Sequence, residues 1–152
     1  MSERRLLVIG ANAFSGQDFI DHALEATDFQ ITGVSRSPER SALLLRYLGR
    51  KDLSRYTFRQ IDMNRDMDGL IDLISTERPS HIVNFAAQSE VAPSWDHPEH
   101  WFETNTVALA KLVNFMRRQD HIEHYMHISS PEAYGSCSGN VVEGTPDNPS
   151  TP

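Results

Sequence analysis

The stretch "HISSPEAYG" (127–135) sets Ser129, Ser130, Glu132 and Tyr134 close together after a short apolar run. A hydroxyl in such a place can hydrogen-bond a substrate oxygen, and a carboxylate beside it can serve as a base. A polar passage from strand to loop would read the same way on its own. A second group lies near the start. In "GANAFSG" (10–16) a glycine-rich turn follows one apolar run and opens an amphipathic one. There the backbone can approach a pyrophosphate, and the first turn of a helix supplies free N–H groups. Gly10 makes the tight turn and Gly16 lets the helix pack closely on the strand. Ala13 stands where the usual fingerprint has its middle glycine, and Asn12 and Phe14 complete the candidate contacts.

Three further stretches fit a dinucleotide. "VSRSPER" (34–40) carries no acidic residue where one would bind the ribose 2′-hydroxyl of NAD. Ser35, Arg36 and Ser37 offer hydroxyls and a guanidinium fork, which suit the 2′-phosphate of NADP; NADP is therefore favoured over NAD. An arginine solvated at a loop is the alternative. Asp62 in "IDMN", with Met63 beside it, ends another apolar run, where a carboxylate can take an adenine amino group or simply make a turn. In "NFAAQSEV" the small Ala86 and Ala87 let a ribose lie against the backbone, and Gln88 and Ser89 follow as substrate-side candidates. No metal site is expected. His121, His124 and His127 recur every third residue, but an odd separation within a strand points side chains to opposite faces. Cys137, the only cysteine, is read as a bystander, and it excludes an internal disulfide.

These groups need a frame, and the chain alternates short β-branched runs with amphipathic ones. Strands are predicted at "RRLLVIG" (4–10), "FQITGVS", "YTFRQID", "HIVNFAA" (81–87) and "HYMHISS" (124–130). Between them helical spacing appears at 14–27, through Phe19, Ile20, Ala23 and Leu24, and at Met67, Leu70, Ile71 and Ile74. A helix is predicted in "RSPERSALLLRYL" with Ser37 as N-cap and Pro38 at its first position, and a long one over about 98–118. The fold class that follows is α/β, a doubly wound parallel sheet of about five strands in the order 3-2-1-4-5. The 152 residues form one domain by length. With 21 acidic against 14 basic residues, a sequence-independent nucleic-acid binder is excluded. No apolar run approaches the ~20 residues that cross a bilayer, and the start lacks a secretory leader. The expected location is cytoplasmic.

Together the stretches from "GANAFSG" through "NFAAQSEVAPSW" and "ETNTVALAKLV" to "HISSPEAYGS" and "EGTPDNPSTP" resemble the extended short-chain dehydrogenase/reductase family, in its branch of nucleotide-sugar epimerases and dehydratases. The resemblance implies an NAD(P)-binding Rossmann fold, a nucleotide-sugar substrate oxidised transiently at C4, and a homodimer built on the helix at about 98–118. It implies that Gly10, Ala13 and Gly16 hold the pyrophosphate, Asp62 the adenine, and Ala86 and Ala87 the ribose, with Asn105 supporting the site. Ser130 falls where the family places the hydroxyl that bonds the C4 oxygen. Glu132 falls where 4,6-dehydratases carry the base for the C5 proton, which makes a 4,6-dehydratase the first expectation, with a 4-epimerase or 4-reductase as alternative. Pro131 departs from the aspartate that glucose-type dehydratases use to protonate the departing hydroxyl.

In the family a Tyr-x-x-x-Lys motif follows "NPSTP" at once, and here that stretch ends at Pro152. The expectation is therefore that residues 1–152 are the dinucleotide-binding portion of a longer enzyme, truncated before the sixth strand and the substrate lobe. On that expectation the fifth strand is an exposed edge, and the isolated chain is marginally stable and inert. A non-catalytic NADP-binding module is the reading from another class.

Overall fold

The computed structural model describes residues 4–50, 53–137 and 139–152. Five parallel strands, β1 (Arg5–Ile9), β2 (Gln30–Ser35), β3 (Tyr56–Gln60), β4 (His81–Asn84) and β5 (His124–His127), form one sheet in the order β3-β2-β1-β4-β5. The predicted order is the observed one. β1 is central, and its alternation builds two cores. Leu6 and Val8 face one layer with Ile20, Leu24 and Tyr47, while Leu7 and Ile9 face the other with Leu70, Ile74 and Leu112. A strand buried on both faces has no polar side, which is why this run is continuously apolar.

Helix α1 (Phe14–Ala26) covers the first layer; α2 (Met67–Glu77) and α5 (Leu109–Met116) cover the second. Asp66 caps α2, its carboxylate accepting from the Gly69 N–H at 3.1 Å. Two shorter helices, α3 (Val91–Asp96) and α4 (Pro98–Phe102), lie between β4 and α5. The long helix expected at 98–118 is interrupted: a π-helical segment, Glu103–Ala108, joins α4 to α5. α3 was not foreseen.

The helix expected in "RSPERSALLLRYL" is absent. Residues Ala42–Leu44 and Arg46–Gly49 make only short 3₁₀ turns, and Leu43 is almost wholly exposed. The start of the segment is tied to the glycine-rich loop. The Asn12 side-chain amide donates to the Ser37 carbonyl at 3.3 Å, the Ser37 hydroxyl at 3.0 Å and the Pro38 carbonyl at 2.8 Å. Ser37 is thus an acceptor for the neighbouring loop instead of a cap. β5 lies at the sheet edge, paired with β4 alone, and Met126 and Ile128 are exposed there.

Candidate functional site

A cavity of about 240 Å³ opens at the carboxyl edge of the sheet, where β1 and β4 lie side by side and the strand order reverses. Such a switch point is where open α/β sheets bind ligands. Gly10 forms its floor with φ at +86°. A Cβ at this position would stand 2.6 Å from the Ala86 nitrogen and 2.7 Å from the Phe85 carbonyl carbon, so only glycine lets the two strand ends approach. The Gly10 and Ala11 N–H groups both donate to the Val34 carbonyl, at 2.8 and 3.0 Å. Gly16 lies one turn into α1, and a Cβ there would collide with the Gly10 carbonyl oxygen. α1 therefore starts hard against the loop. Its N-cap, Ala13, offers no side-chain cap, and its first turn holds no acid. A helix terminus of this kind is suited to an anion.

Asn12 is buried and ties the loop to β2. Its N–H donates to the Ser35 hydroxyl at 2.9 Å, and its carbonyl accepts from Arg40 Nε at 3.0 Å. Ser35, Arg36, Ser37 and Arg40 together line one end of the cavity. Beyond β3, Asp62 makes a turn, its Oδ1 accepting from the Asn64 N–H at 3.0 Å. Asp62, Met63 and Asn64 all border the cavity, so the turn role and an edge position coexist. On the other flank Asn84, fully buried at the end of β4, accepts the Ala86 N–H at 2.9 Å and so fixes the bend that brings Ala86 and Ala87 to the cavity wall.

The expected residues do not all meet there. The Phe14 ring is 69% exposed and lies under the Arg46 guanidinium, 4.5 Å from its centroid, outside the cavity. Asn105 grips the chain after β4: its Oδ1 accepts from the Gln88 N–H and its Nδ2 donates to the Gln88 carbonyl, both at 2.9 Å. It is a positioning residue, and Gln88 and Ser89 lie outside the lining. Ser130 and Glu132 also lie outside it, on an exposed 3₁₀ turn (Pro131–Tyr134) just past the carboxyl end of β5, on the same sheet edge. The Ser130 hydroxyl accepts the Glu132 N–H at 3.2 Å. The turn is held from behind, where the Asn148 N–H donates to the Ala133 carbonyl at 2.8 Å.

Three polar lining residues escaped sequence reasoning, Arg40, Asn64 and Thr104, as did the apolar Ile9, Ile61 and Phe85. Asn64 Nδ2 donates to Thr104 Oγ1 at 2.8 Å, joining β3 to the π-helical segment. Nothing local in either stretch marks that pairing. Next to the cavity flank, His127 Nδ1 faces Asn84 Nδ2 at 3.3 Å, and burial holds its imidazole below the usual histidine range. Neutral His127 can accept that amide proton, and protonated His127 cannot. Among the described residues no cluster of three or more His, Cys, Asp or Glu side chains could hold a metal ion, and no helix is long and apolar enough to cross a membrane.

Comparison with known proteins agrees with this geometry. The chain is 30% identical over 155 residues to dTDP-glucose 4,6-dehydratase of Mycobacterium tuberculosis (strain CDC 1551 / Oshkosh), covering 97% of this chain and 44% of that protein. It thus spans under half the length of that relative. Among solved structures it is similar to the UDP-Glc/GlcNAc 4-epimerase of Campylobacter jejuni, with TM-score 0.83 at 25% identity, covering 97% of this chain and 44% of that one. It shares its fold with the dTDP-glucose 4,6-dehydratase of Bacillus anthracis, solved in complex with NAD, with TM-score 0.77 at 23% identity over 98% of this chain and 45% of that one. Residues 7–152 match the family model described as GDP-mannose 4,6 dehydratase, and the chain belongs to that family, within the nucleotide-sugar dehydratases and epimerases of the short-chain dehydrogenase/reductase group.

Proposed function

We propose that residues 1–152 are the dinucleotide-binding portion of an NAD(P)-dependent nucleotide-sugar 4,6-dehydratase. The observation that carries the reading is the placing of Ser130 and Glu132 together beyond β5, on the edge where the cavity opens. The cavity suits a dinucleotide on two independent counts. The cradle at Gly10 is space that a Cβ would fill, and the Oδ1 of Asn64, a lining residue, is buried with no hydrogen-bond partner among the described residues. At about 240 Å³ it is smaller than the ~300–1,000 Å³ of sites for drug-sized ligands, so it accommodates one part of the cofactor while the rest lies along the open edge.

The residues take these roles. Gly10, Ala13 and the first turn of α1 hold the pyrophosphate, Asp62 and Met63 border the adenine, and Ala86 and Ala87 the ribose. Arg36 and Ser37, with Arg40 beside them, favour the 2′-phosphate of NADP. A bound nicotinamide supplies reversible hydride acceptance from C4. Ser130 hydrogen-bonds the C4 oxygen, and Glu132 takes the C5 proton and passes it to the C6 oxygen, so that the C5–C6 double bond forms as the C6–O bond breaks and water leaves. Gln88 and Ser89 continue toward the sugar, and Asn105 sets their course. The exposed Phe102, Val107 and Val113 on α4, the π-helical segment and α5 support a homodimer through that face.

The test is to incubate the longest product of the gene with dTDP-glucose and GDP-mannose and to follow the mass loss of one water. Glu132→Gln is expected to lower dehydration at least ~10²-fold while C4 oxidation, read as reduced-nicotinamide fluorescence, persists. Undiminished dehydration in Glu132→Gln would refute the assignment. The likeness to the 4-epimerase of Campylobacter jejuni favours a second reading, 4-epimerisation, in which the product keeps the substrate's mass.

A further inference from the structure

Asn64 carries an unfilled hydrogen-bonding position at the cofactor cavity. Its main-chain N–H donates to Asp62 Oδ1 and its Nδ2 to Thr104 Oγ1, so its backbone donor and side-chain amide nitrogen are both engaged. Its Oδ1, by contrast, is buried and accepts nothing among the described residues. A buried acceptor left unpaired is costly, and its persistence at a cavity rim points to a donor that arrives with a ligand. Thr104 completes the arrangement. Because its oxygen already accepts from Asn64, its own proton remains available to donate, and Thr104 borders the same cavity. The pair therefore presents an acceptor and a donor side by side.

The position selects the ligand group. Asn64 follows β3, on the β2–β3 flank of the switch point, with Ser35 and Arg36 at the end of the neighbouring strand. The nicotinamide half belongs to the β4–β5 flank, beside Ala86, Ala87 and the Ser130 turn. An adenine offers a donor, its exocyclic amino group, next to a ring-nitrogen acceptor. We infer that Asn64 is a specificity-determining residue for the purine of the dinucleotide, its Oδ1 accepting from the 6-amino group while its Nδ2 orients the Thr104 hydroxyl. This rests on the cofactor-binding reading above, and it goes beyond the sequence expectation, which gave the adenine only to Asp62.

The experiment compares binding of NADPH with binding of its hypoxanthine analogue, in which a carbonyl replaces the 6-amino group. Dissociation constants are read from nicotinamide fluorescence with the chain as it stands, without turnover. The wild-type protein is expected to prefer NADPH, and Asn64→Ala to lose about three- to tenfold of that preference, the worth of one hydrogen bond. Asn64→Asp keeps the acceptor oxygen, so it is expected to retain a preference for the amino purine, and it serves where Asn64→Ala does not fold. Equal affinity of the wild type for the two purines, or an unchanged ratio in Asn64→Ala, overturns the inference and leaves the cofactor reading standing. Failure of the wild type to bind either form overturns both.

Discussion

Replacing Gly10 by alanine is the sharpest test of how the site is built. Two costs add. At φ +86° an L-residue is disfavoured by about 1–2 kcal/mol. The new methyl group would also stand 2.6 Å from the Ala86 nitrogen, well inside ordinary contact at 3.4 Å. Its neighbours cannot easily retreat. The Phe85 N–H is bonded to the Ile9 carbonyl at 2.7 Å and the Ala86 N–H to Asn84 Oδ1 at 2.9 Å, so relief means parting β1 from the end of β4. Overpacking of this kind costs about 1–3 kcal/mol, and a disturbed hydrogen bond about 1 more. Stiffening of the unfolded chain returns about 0.4–1 kcal/mol. The net expectation is a loss of about 2–5.5 kcal/mol, a large share of the ~5–15 kcal/mol that keeps a typical domain folded. Gly144→Ala supplies the control, because Gly144 has φ +83° and, among the described residues, nothing within 4 Å of the added atom. It should cost about 1 kcal/mol. Urea unfolding followed by far-UV circular dichroism measures both. A Gly10→Ala cost under about 2 kcal/mol would leave no room for the contact term and refute the cradle.

Three other outcomes follow from the same geometry. Asn105→Ala removes both bonds to the Gln88 backbone; stability should fall by about 1–2 kcal/mol, and hydrogen exchange at the Gln88 amide should accelerate beyond what global destabilisation explains. Arg36→Ala should weaken NADPH binding by about 10–100-fold at low salt and NADH binding far less, as calorimetry would show. Burial holds His81, His121 and His127 below the ordinary 6.5, with Arg4 adding to the effect at His81 and Arg78 at His121. Below that value the unfolded chain binds more protons than the folded one. Their contribution is therefore fully present above about pH 6.5 and is lost progressively as pH falls below it. Asp21, lowered by its bond to Arg50, and Asp120, lowered by its bond to Arg78, act in a separate window below pH 3.8. Urea midpoints at pH 7.5 and 5.5 check this, and His121→Phe should flatten the difference.

The strands were legible because buried parallel strands leave β-branched runs that helices do not imitate, and "RRLLVIG" and "HIVNFAA" are of that kind. Strand order followed from right-handed crossovers between alternating elements. The segment at 37–49 was misread for a physical reason. Its leucines and Pro38 satisfy local helix rules, while the residue that holds its start to the loop, Asn12, lies about 25 positions away. The π-helical segment was hidden in the same manner, since spacing around Trp101, Phe102 and Leu109 marks a face without fixing which carbonyl each N–H meets. Asn84 could have been found: a lone amide in an otherwise apolar buried strand must have partners, and here they hold the bend at Ala86. Asn64 and Thr104 could not, because neither is unusual until the fold joins them.

The cofactor cavity and the turn bearing Ser130 and Glu132 are fastened by different parts of the chain. The cavity is closed by contacts among residues 9 to 105: Gly10 against Ala86, Asn12 against Ser35 and Pro38, Asn64 against Thr104. The turn beyond β5 has a fastening of its own. It is secured by the segment around Asn148, whose N–H meets the Ala133 carbonyl and whose own carbonyl lies where a Cβ at Gly135 would stand. Gly135, at φ +58°, is thus to the turn what Gly10 is to the cavity, a glycine required by both backbone shape and close approach. The two meet at Asn84, which holds the bend at Ala86 and whose carbonyl accepts the Ile128 N–H at 3.0 Å. Asn64 is accordingly tested by affinity, and the base role proposed for Glu132 by turnover, so that each is read in an assay the other does not decide.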